Sequence, residues 1–277
     1  MSVKIFVDST VDLVPEIKAQ VTAVPLAVRF GEQEYLDGVT ITAEEFYEKL
    51  AQSQELPTTS QPTPVSFEDA FRKAVEEGHE VICITIASKL SGTYQSATIA
   101  AEEFPGKVYV VDSRNAAIGA GILTAYALKL AEQGMQAAEI LEALIQKRKQ
   151  IRLYFVVDTL EYLKKGGRLN AAVAVVGGLL NIKPVLTVAD GEIKVLGTAR
   201  GMKKAYAMLD QECIKNGVDR SSPVLLGHTG ADAEPLHKYV AEGTTLWHSE
   251  DPSTIIGAAI GVHVGPGAVA VCFFAEE

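Results

Sequence analysis

Five segments of the chain gather side chains able to grip or transform a small polar group. The first is Leu56-Pro57-Thr58-Thr59-Ser60-Gln61-Pro62-Thr63-Pro64. Its prolines fix φ and remove backbone donors, which predicts a stiff loop carrying the hydroxyls of Thr58, Thr59, Ser60 and Thr63. The second, Ile86 to Ser96, follows an apolar strand and opens a helix, so backbone amides and the hydroxyls of Ser88, Ser91 and Thr93 collect at a helix start. Gly92 lets a backbone come close there. In both segments two readings stand: contact with an anionic ligand, or ordinary capping of the next helix.

The third segment is Tyr162-Leu163-Lys164-Lys165-Gly166-Gly167-Arg168-Leu169-Asn170, where paired glycines end a helix and display Arg168. A guanidinium can hold a carboxylate or phosphate through paired hydrogen bonds, or sit on a solvated basic turn. The fourth is Ile260-Gly261-Val262-His263-Val264-Gly265-Pro266-Gly267, read as a glycine-rich loop that brings an imidazole close to a ligand. His228, in Gly227-His228-Thr229-Gly230, also ends a strand but lacks comparable surroundings. The fifth is the pair Asp8-Ser9 and Asp112-Ser113, each at the end of an apolar strand. Ligands collect at that edge of open α/β sheets, and turn chemistry uses the same residues.

Several chemistries lack their signatures. There is no Walker phosphate loop, no G-x-S-x-G nucleophile elbow and no H-E-x-x-H zinc motif. Gly119-Ala120-Gly121 falls inside a helical pattern without the third glycine of a dinucleotide fingerprint. No Cys/His cluster has zinc spacing, so neither metal nor cofactor is expected. A Ser91–His263 nucleophile and base remains conceivable in three dimensions, with no carboxylate obviously placed to orient the histidine.

The elements that must position these residues follow from hydrophobic patterning. Short Val- and Ile-rich runs at 3–7, 81–86, 108–111, 154–157 and 224–226 read as buried strands. Amphipathic stretches at 67–77, 94–103, 116–133 and 137–150 read as helices. Thr42 with Glu45 forms a capping box, Ser66 suits an N-cap, and Gly78 and Gly134 suit helix ends. Asp190-Gly191 predicts a tight hairpin, followed by a helix at 202–214 and a last strand at 268–274. The predicted fold class is α/β, mostly parallel with flanking helices, plus a smaller α+β second domain. The boundary falls at residues 1–150 and 151–277, with the ligand in the cleft between them.

Bulk composition narrows the function. The chain has 277 residues and a net charge of −10. An acidic surface disfavours nucleic acid and anionic membranes. The longest apolar stretch, Ala171 to Leu180, is about half a membrane span. The three scattered cysteines, Cys83, Cys213 and Cys272, read as buried hydrophobes of a reducing compartment, and a cytoplasmic location is expected.

Taken in order, Val7-Asp8-Ser9-Thr10-Val11-Asp12-Leu13, Glu45-Phe46-Tyr47, Pro57-Thr58-Thr59-Ser60-Gln61-Pro62, Leu90-Ser91-Gly92-Thr93-Tyr94, Asp112-Ser113, Gly166-Gly167-Arg168, Lys183-Pro184 and the His263 to Gly267 run resemble the DegV family of bacterial fatty-acid-binding proteins. The resemblance implies a two-domain fold that carries a long-chain fatty acid such as palmitate, stearate or oleate between its domains. It implies a monomeric, non-enzymatic carrier that presents the carboxylate to a separate fatty acid kinase for acyl-phosphate formation and phospholipid synthesis. By position it assigns Thr59 and Ser91 to the carboxylate, with Ser60 and Gly92 beside them and Arg168 and His263 as basic neighbours. Ile86, Ile118, Leu123 and Phe273 are expected in the tunnel wall. The family's basic Arg-Thr-Arg-Lys-Lys cluster reads Arg200-Gly201-Met202-Lys203-Lys204 here, which alters the expected kinase contact. Two other functions remain open: an acyl-ester hydrolase using Ser91, and a lipid-responsive sensor without phosphotransfer.

Overall fold

The computed structural model describes residues 2–169, 181–242 and 244–276. The apolar stretch Ala171 to Leu180 and Asn170 lie outside the described residues. In chain order the first elements are β1 Val3–Asp8, α1 Pro15–Lys18, β2 Thr22–Val24, β3 Ala27–Phe30, β4 Gln33–Leu36, α2 Ala43–Gln52 and β5 Thr58–Ser60. Then come α3 Pro64–Glu76, β6 Glu80–Thr85, α4 Thr93–Ala101, β7 Val108–Asp112, α5 Ala117–Glu132 and α6 Ala137–Lys147, closed by a 3₁₀ turn at Arg148–Gln150. The remainder is β8 Ile151–Val156, α7 Glu161–Lys165, β9 Ile182–Ala189, β10 Glu192–Arg200, α8 Met202–Asn216, β11 Leu225–His228, α9 Glu234–Glu242, β12 Ser253–Ile255, α10 Ala258–Val264 and β13 Val269–Phe274.

These strands make three sheets. The first, in the order β2-β1-β6-β7, is parallel throughout. The second, β10-β9-β8-β13-β11-β12, is antiparallel except for its β11–β12 edge. A small antiparallel sheet, β4-β3-β5, carries the hydroxyl segment. The α/β class is therefore as expected, with helices against a parallel sheet. The second sheet has more strands than the first.

Local chemistry explains most boundaries. The Thr42–Glu45 capping box opens α2. Gly78 and Gly134 take the left-handed conformation just past α3 and α5. Asp190 and Gly191 both have positive φ, as the primed turn between β9 and β10 demands. The N-cap of α3 differs from the expectation: Thr63 accepts from Ser66 N at 3.2 Å, with Pro64 in the first turn. Pro64 is preorganised for that first position, so the helix begins three residues before Phe67.

Strand alternation divides the six-stranded sheet into two faces. Leu153, Phe155, Leu186, Val188, Leu225, Ala270 and Cys272 join the core that also holds Ile5, Val7, Ile84 and α5. Tyr154, Val156, Val185, Leu226, Val271 and Phe273 form a separate core under α8 and α9. Helix α5 packs against strands of both large sheets and is apolar around most of its circumference, as a largely buried helix must be. All three cysteines are buried and free. No helix among the described residues is long and apolar enough to cross a membrane.

Candidate functional site

An apolar cavity opens between the carboxyl edge of the parallel sheet and the inner face of the six-stranded sheet. Residues just past the parallel strands supply one wall: Thr10, Ile86, Ala116 and Ala117. Leu153, Phe155, Val188, Gly227 and Ala270 supply the facing wall. Of the tunnel residues expected from sequence, only Ile86 lines it. Ile118 lies behind Gly227, within 3.4 Å of where a Cβ there would stand. Leu123 is buried deeper in the core. Phe273 faces the other core, because successive side chains on β13 point to opposite faces of the sheet.

Thr59, Ser91, Arg168 and His263 all lie on the wall of this one cavity, although more than 200 positions separate the first from the last. Thr59 sits in β5, so the 56–64 segment is a short edge strand at this point and not only a loop. Alternation turns Thr59 inward and leaves Thr58 and Ser60 exposed, so Ser60 is not brought to the cavity wall. Gly92 is likewise absent from the wall. A Cβ on it would stand 2.1 Å from Gln61 Oε1, so this glycine lets Gln61 cross the start of α4 and donate to Ser96 Oγ at 2.9 Å.

Arg168 is placed by a Schellman turn. Gly167 N donates to Lys164 O at 3.1 Å and Arg168 N to Leu163 O at 3.0 Å, with Gly167 left-handed. The guanidinium donates to Leu90 O at 3.2 Å and Gly166 O at 2.6 Å. It thereby ties the 86–92 turn to the end of α7, and no carboxylate among the described residues pairs with its charge.

His263 belongs to the last turn of α10, not to a loop as the glycine spacing suggested. Helix α10 is fixed at both ends. At its start Gly257 N donates to Asp12 Oδ1 at 2.8 Å, and Ala258 N and Ala259 N donate to the two oxygens of Asp37 at 3.1 and 3.2 Å. Burial raises the pKa of both carboxyls. At its end a Cβ on Gly265 would lie 2.3 Å from the Tyr162 ring. The imidazole itself abuts Gly166, where a Cβ would stand 2.3 Å from Nδ1. Its Nε2 lies 2.9 Å from Thr59 Oγ1, and its buried Nδ1 has no hydrogen-bond partner.

Burial, and after it the Arg168 charge, lower the His263 pKa from 6.5 to about 4. The unfolded chain takes a proton on this ring as pH falls through its ordinary value, whereas the native protein waits until about 4. The unfolded state therefore binds more protons over that window. This contribution to stability is complete above 6.5 and is lost as pH falls toward about 4. Asp8, pushed up to about 6 by burial, acts with the opposite sign over an overlapping range, so the imidazole is the clean observable. Its ring resonances are expected to stay at the neutral position between about pH 8 and about pH 5, checked by NMR. A titration centred near the ordinary histidine value would show that the ring is not shielded.

The two Asp-Ser pairs do turn chemistry. Asp8 accepts from Ile86 N at 2.8 Å and from Thr10 N at 2.9 Å. Asp112 accepts from Ser88 Oγ at 2.6 Å and Arg114 N at 2.8 Å. Both hold the segments that line the cavity. Ser91 Oγ pairs with Thr93 Oγ1 at 2.8 Å, while His263 pairs with Thr59. Nucleophile, base and orienting acid are thus not linked as acyl transfer requires. Among the described residues no group of three His, Cys, Asp or Glu side chains is arranged to hold a metal. Sequence reasoning missed Thr10, His228 and Thr229 on the wall. His228 ends β11, as its sequence context suggested, and Thr229 follows it; the pairing of β11 with β13 brings that strand end to the cavity.

The family model described as "Uncharacterised protein, DegV family" matches residues 2–276. A DegV domain-containing protein of Deinococcus radiodurans is 40% identical over 275 residues, covering 98% of each chain. Among solved structures, one described as fatty acid binding of a DegV family protein from Thermus thermophilus superposes with a TM-score of 0.87 at 35% identity, covering 100% of both chains. A stearic-acid-binding protein from Eubacterium ventriosum gives a TM-score of 0.86 at 31% identity, covering 98% of both. With the same fold, this identity and coverage from end to end, the chain belongs to the DegV family.

Proposed function

We propose that this protein binds a long-chain fatty acid and presents its carboxylate to a fatty acid kinase, without performing chemistry on it. The observation that carries the reading is the cavity itself: nearly all of its wall is apolar, and its polar side chains include the hydroxyls of Thr59 and Ser91 beside Arg168 and His263. An acyl chain needs such a wall, since each buried methylene contributes ~0.8 kcal/mol. Fatty-acid binding in the Thermus and Eubacterium relatives supports the same ligand class.

The head group is held by hydroxyl donors. With His263 neutral, Nε2–H donates to Thr59 Oγ1, and the Thr59 hydroxyl proton is free to donate to the carboxylate. Nδ1 then carries only a lone pair against the Gly166 Cα, which suits an atom lacking any partner. Arg168 adds positive potential, but its hydrogen bonds go to backbone carbonyls, so the carboxylate is not locked in a buried ion pair. That arrangement suits a carrier whose cargo must remain open to a second protein. Arg200, Lys203 and Lys204 are exposed around the start of α8 and form the docking face in this reading, while Met202 packs toward the second core.

Native mass spectrometry of protein purified from its host tests the ligand: a co-purifying fatty-acid mass is expected, and a sugar or nucleotide in its place would overturn the reading. Adding a cognate kinase and ATP tests presentation, through acyl phosphate formation. Thr59→Val and Ser91→Ala are each expected to weaken binding about tenfold, the scale of one charge-assisted hydrogen bond, because the tail contacts survive. Displacement of a fluorescent fatty acid measures this. Unchanged affinity in both variants would place the carboxylate elsewhere.

A further inference from the structure

A second groove lies outside the acyl cavity and is lined by Arg114, Arg148, Lys149 and Arg152. Four cations in one groove are notable in a chain of net charge −10. Three separate pieces of structure bring them together. Arg114 sits in the left-handed turn after β7, with φ 51. Arg148 and Lys149 occupy the 3₁₀ turn after α6. Arg152 is on β8, on the same face as Tyr154, whose register partner Thr187 also lines the groove.

None of the four makes an ion pair with a carboxylate among the described residues. Arg148 donates to the Asp112 carbonyl, and its buried Nε has no partner. Arg152 donates to Asn216 Oδ1 and to the carbonyls of Lys149 and Ile151, and Lys149 donates to Gln146 Oε1. Amide and carbonyl acceptors of this kind orient cations without neutralising them. The nearby acids have other partners: Asp112 accepts from Ser88 and Arg114 N, and Asp190, which also lines the groove, is exposed and lies 3.8 Å from Lys194. Burial, and then the Arg114 charge, lower the Arg148 pKa, as crowding of like charges requires.

We propose that this groove binds the phosphate group of a small phosphate monoester, held by the guanidinium groups of Arg114, Arg148 and Arg152 and by Lys149. Guanidinium forks match phosphate oxygens in pairs, and a concave groove of this kind suits a small molecule. Thr187 and Asn115 also line the groove. The site is independent of the fatty-acid reading.

Isothermal titration calorimetry on the full chain, with butyl phosphate and with inorganic pyrophosphate at constant ionic strength, tests it. Saturable binding at one site per chain is expected, weakened about tenfold by Lys149→Gln and by Arg114→Asn. Both positions are exposed, and asparagine accepts the left-handed conformation, so these variants should fold. Arg152→Gln is the third variant. A parallel arm uses phosphatidylcholine vesicles containing phosphatidic acid. Absence of saturable binding to both soluble phosphates, equal affinity in the variants, or binding to the vesicles alone would each overturn the proposal.

Discussion

If the cavity holds a fatty acid as proposed, Ala270→Phe is expected to empty it while leaving the protein folded. Ala270 lies on β13 in the middle of the six-stranded sheet, opposite Phe155 on one side and Gly227 on the other. All three residues line the cavity, and the small Ala270 leaves room beside the aromatic ring. A phenylalanine at 270 projects into that room. Displacing about four tail methylenes at ~0.8 kcal/mol each removes ~3 kcal/mol of binding, or about 200-fold in affinity. Because the ring enters empty space, overpacking should cost no more than about 1–3 kcal/mol. Native mass spectrometry should show an empty protein, and displacement titrations should show the weakened affinity, with circular dichroism confirming the fold. Undiminished binding would exclude this cavity as the seat of the tail.

The largest effect on stability is expected at Gly265. This residue has φ 75, and an added Cβ would sit 2.3 Å from the Tyr162 ring. Gly265→Ala therefore combines the left-handed strain of about 1–2 kcal/mol with a steric clash of about 1–3 kcal/mol. A loss of about 3 kcal/mol lowers Tm by roughly 5 °C in a chain of this size. Gly267 makes the comparison sharp: its φ is 82, but the nearest atom to its would-be Cβ is 3.6 Å away. Gly267→Ala should suffer the strain alone. Moving Tyr162 also shifts the end of α10 that carries His263, so Gly265→Ala should weaken acyl binding as well. Thermal scans of the two variants side by side check the first point, and ligand displacement the second. Equal melting shifts would mean that the Tyr162 contact is not what holds this corner.

How much of this was readable beforehand depends on the range of the interaction. Capping and turn signals are local, which is why Thr42–Glu45, Gly78, Gly134 and Asp190-Gly191 appear where expected. The same locality misled at Ser66, since both it and Thr63 are acceptable caps and only Pro64 at the first helical position favours Thr63. Glycine spacing around His263 suggested a loop. Gly261 instead sits inside α10, where a Cβ would meet Phe46 at 2.6 Å, so its purpose is close packing of that helix on α2. Very short strands such as β5 and β12 escaped notice because three residues carry too little periodicity to register.

Sequence by itself determined the elements that depend on neighbours within a turn or two: the α/β alternation, the main helices, the hairpin and the segments rich in hydroxyls. Through the motif run it also pointed to the family and to Thr59, Ser91, Arg168 and His263. Only the tertiary structure decided which of these residues share a wall. Strand alternation placed Thr59 inward and Ser60 outward. Pairing of β11 with β13 brought Gly227 opposite Ala270, and the sheet faces sent Phe273 to the other core. Two carboxylates at one end of α10 and the Tyr162 ring at the other set His263 against Thr59, 204 positions away. Such contacts arise from close packing of distant segments, in which a single residue's shift in register exchanges the buried face for the exposed one. A linear pattern of residue types contains no term for that choice.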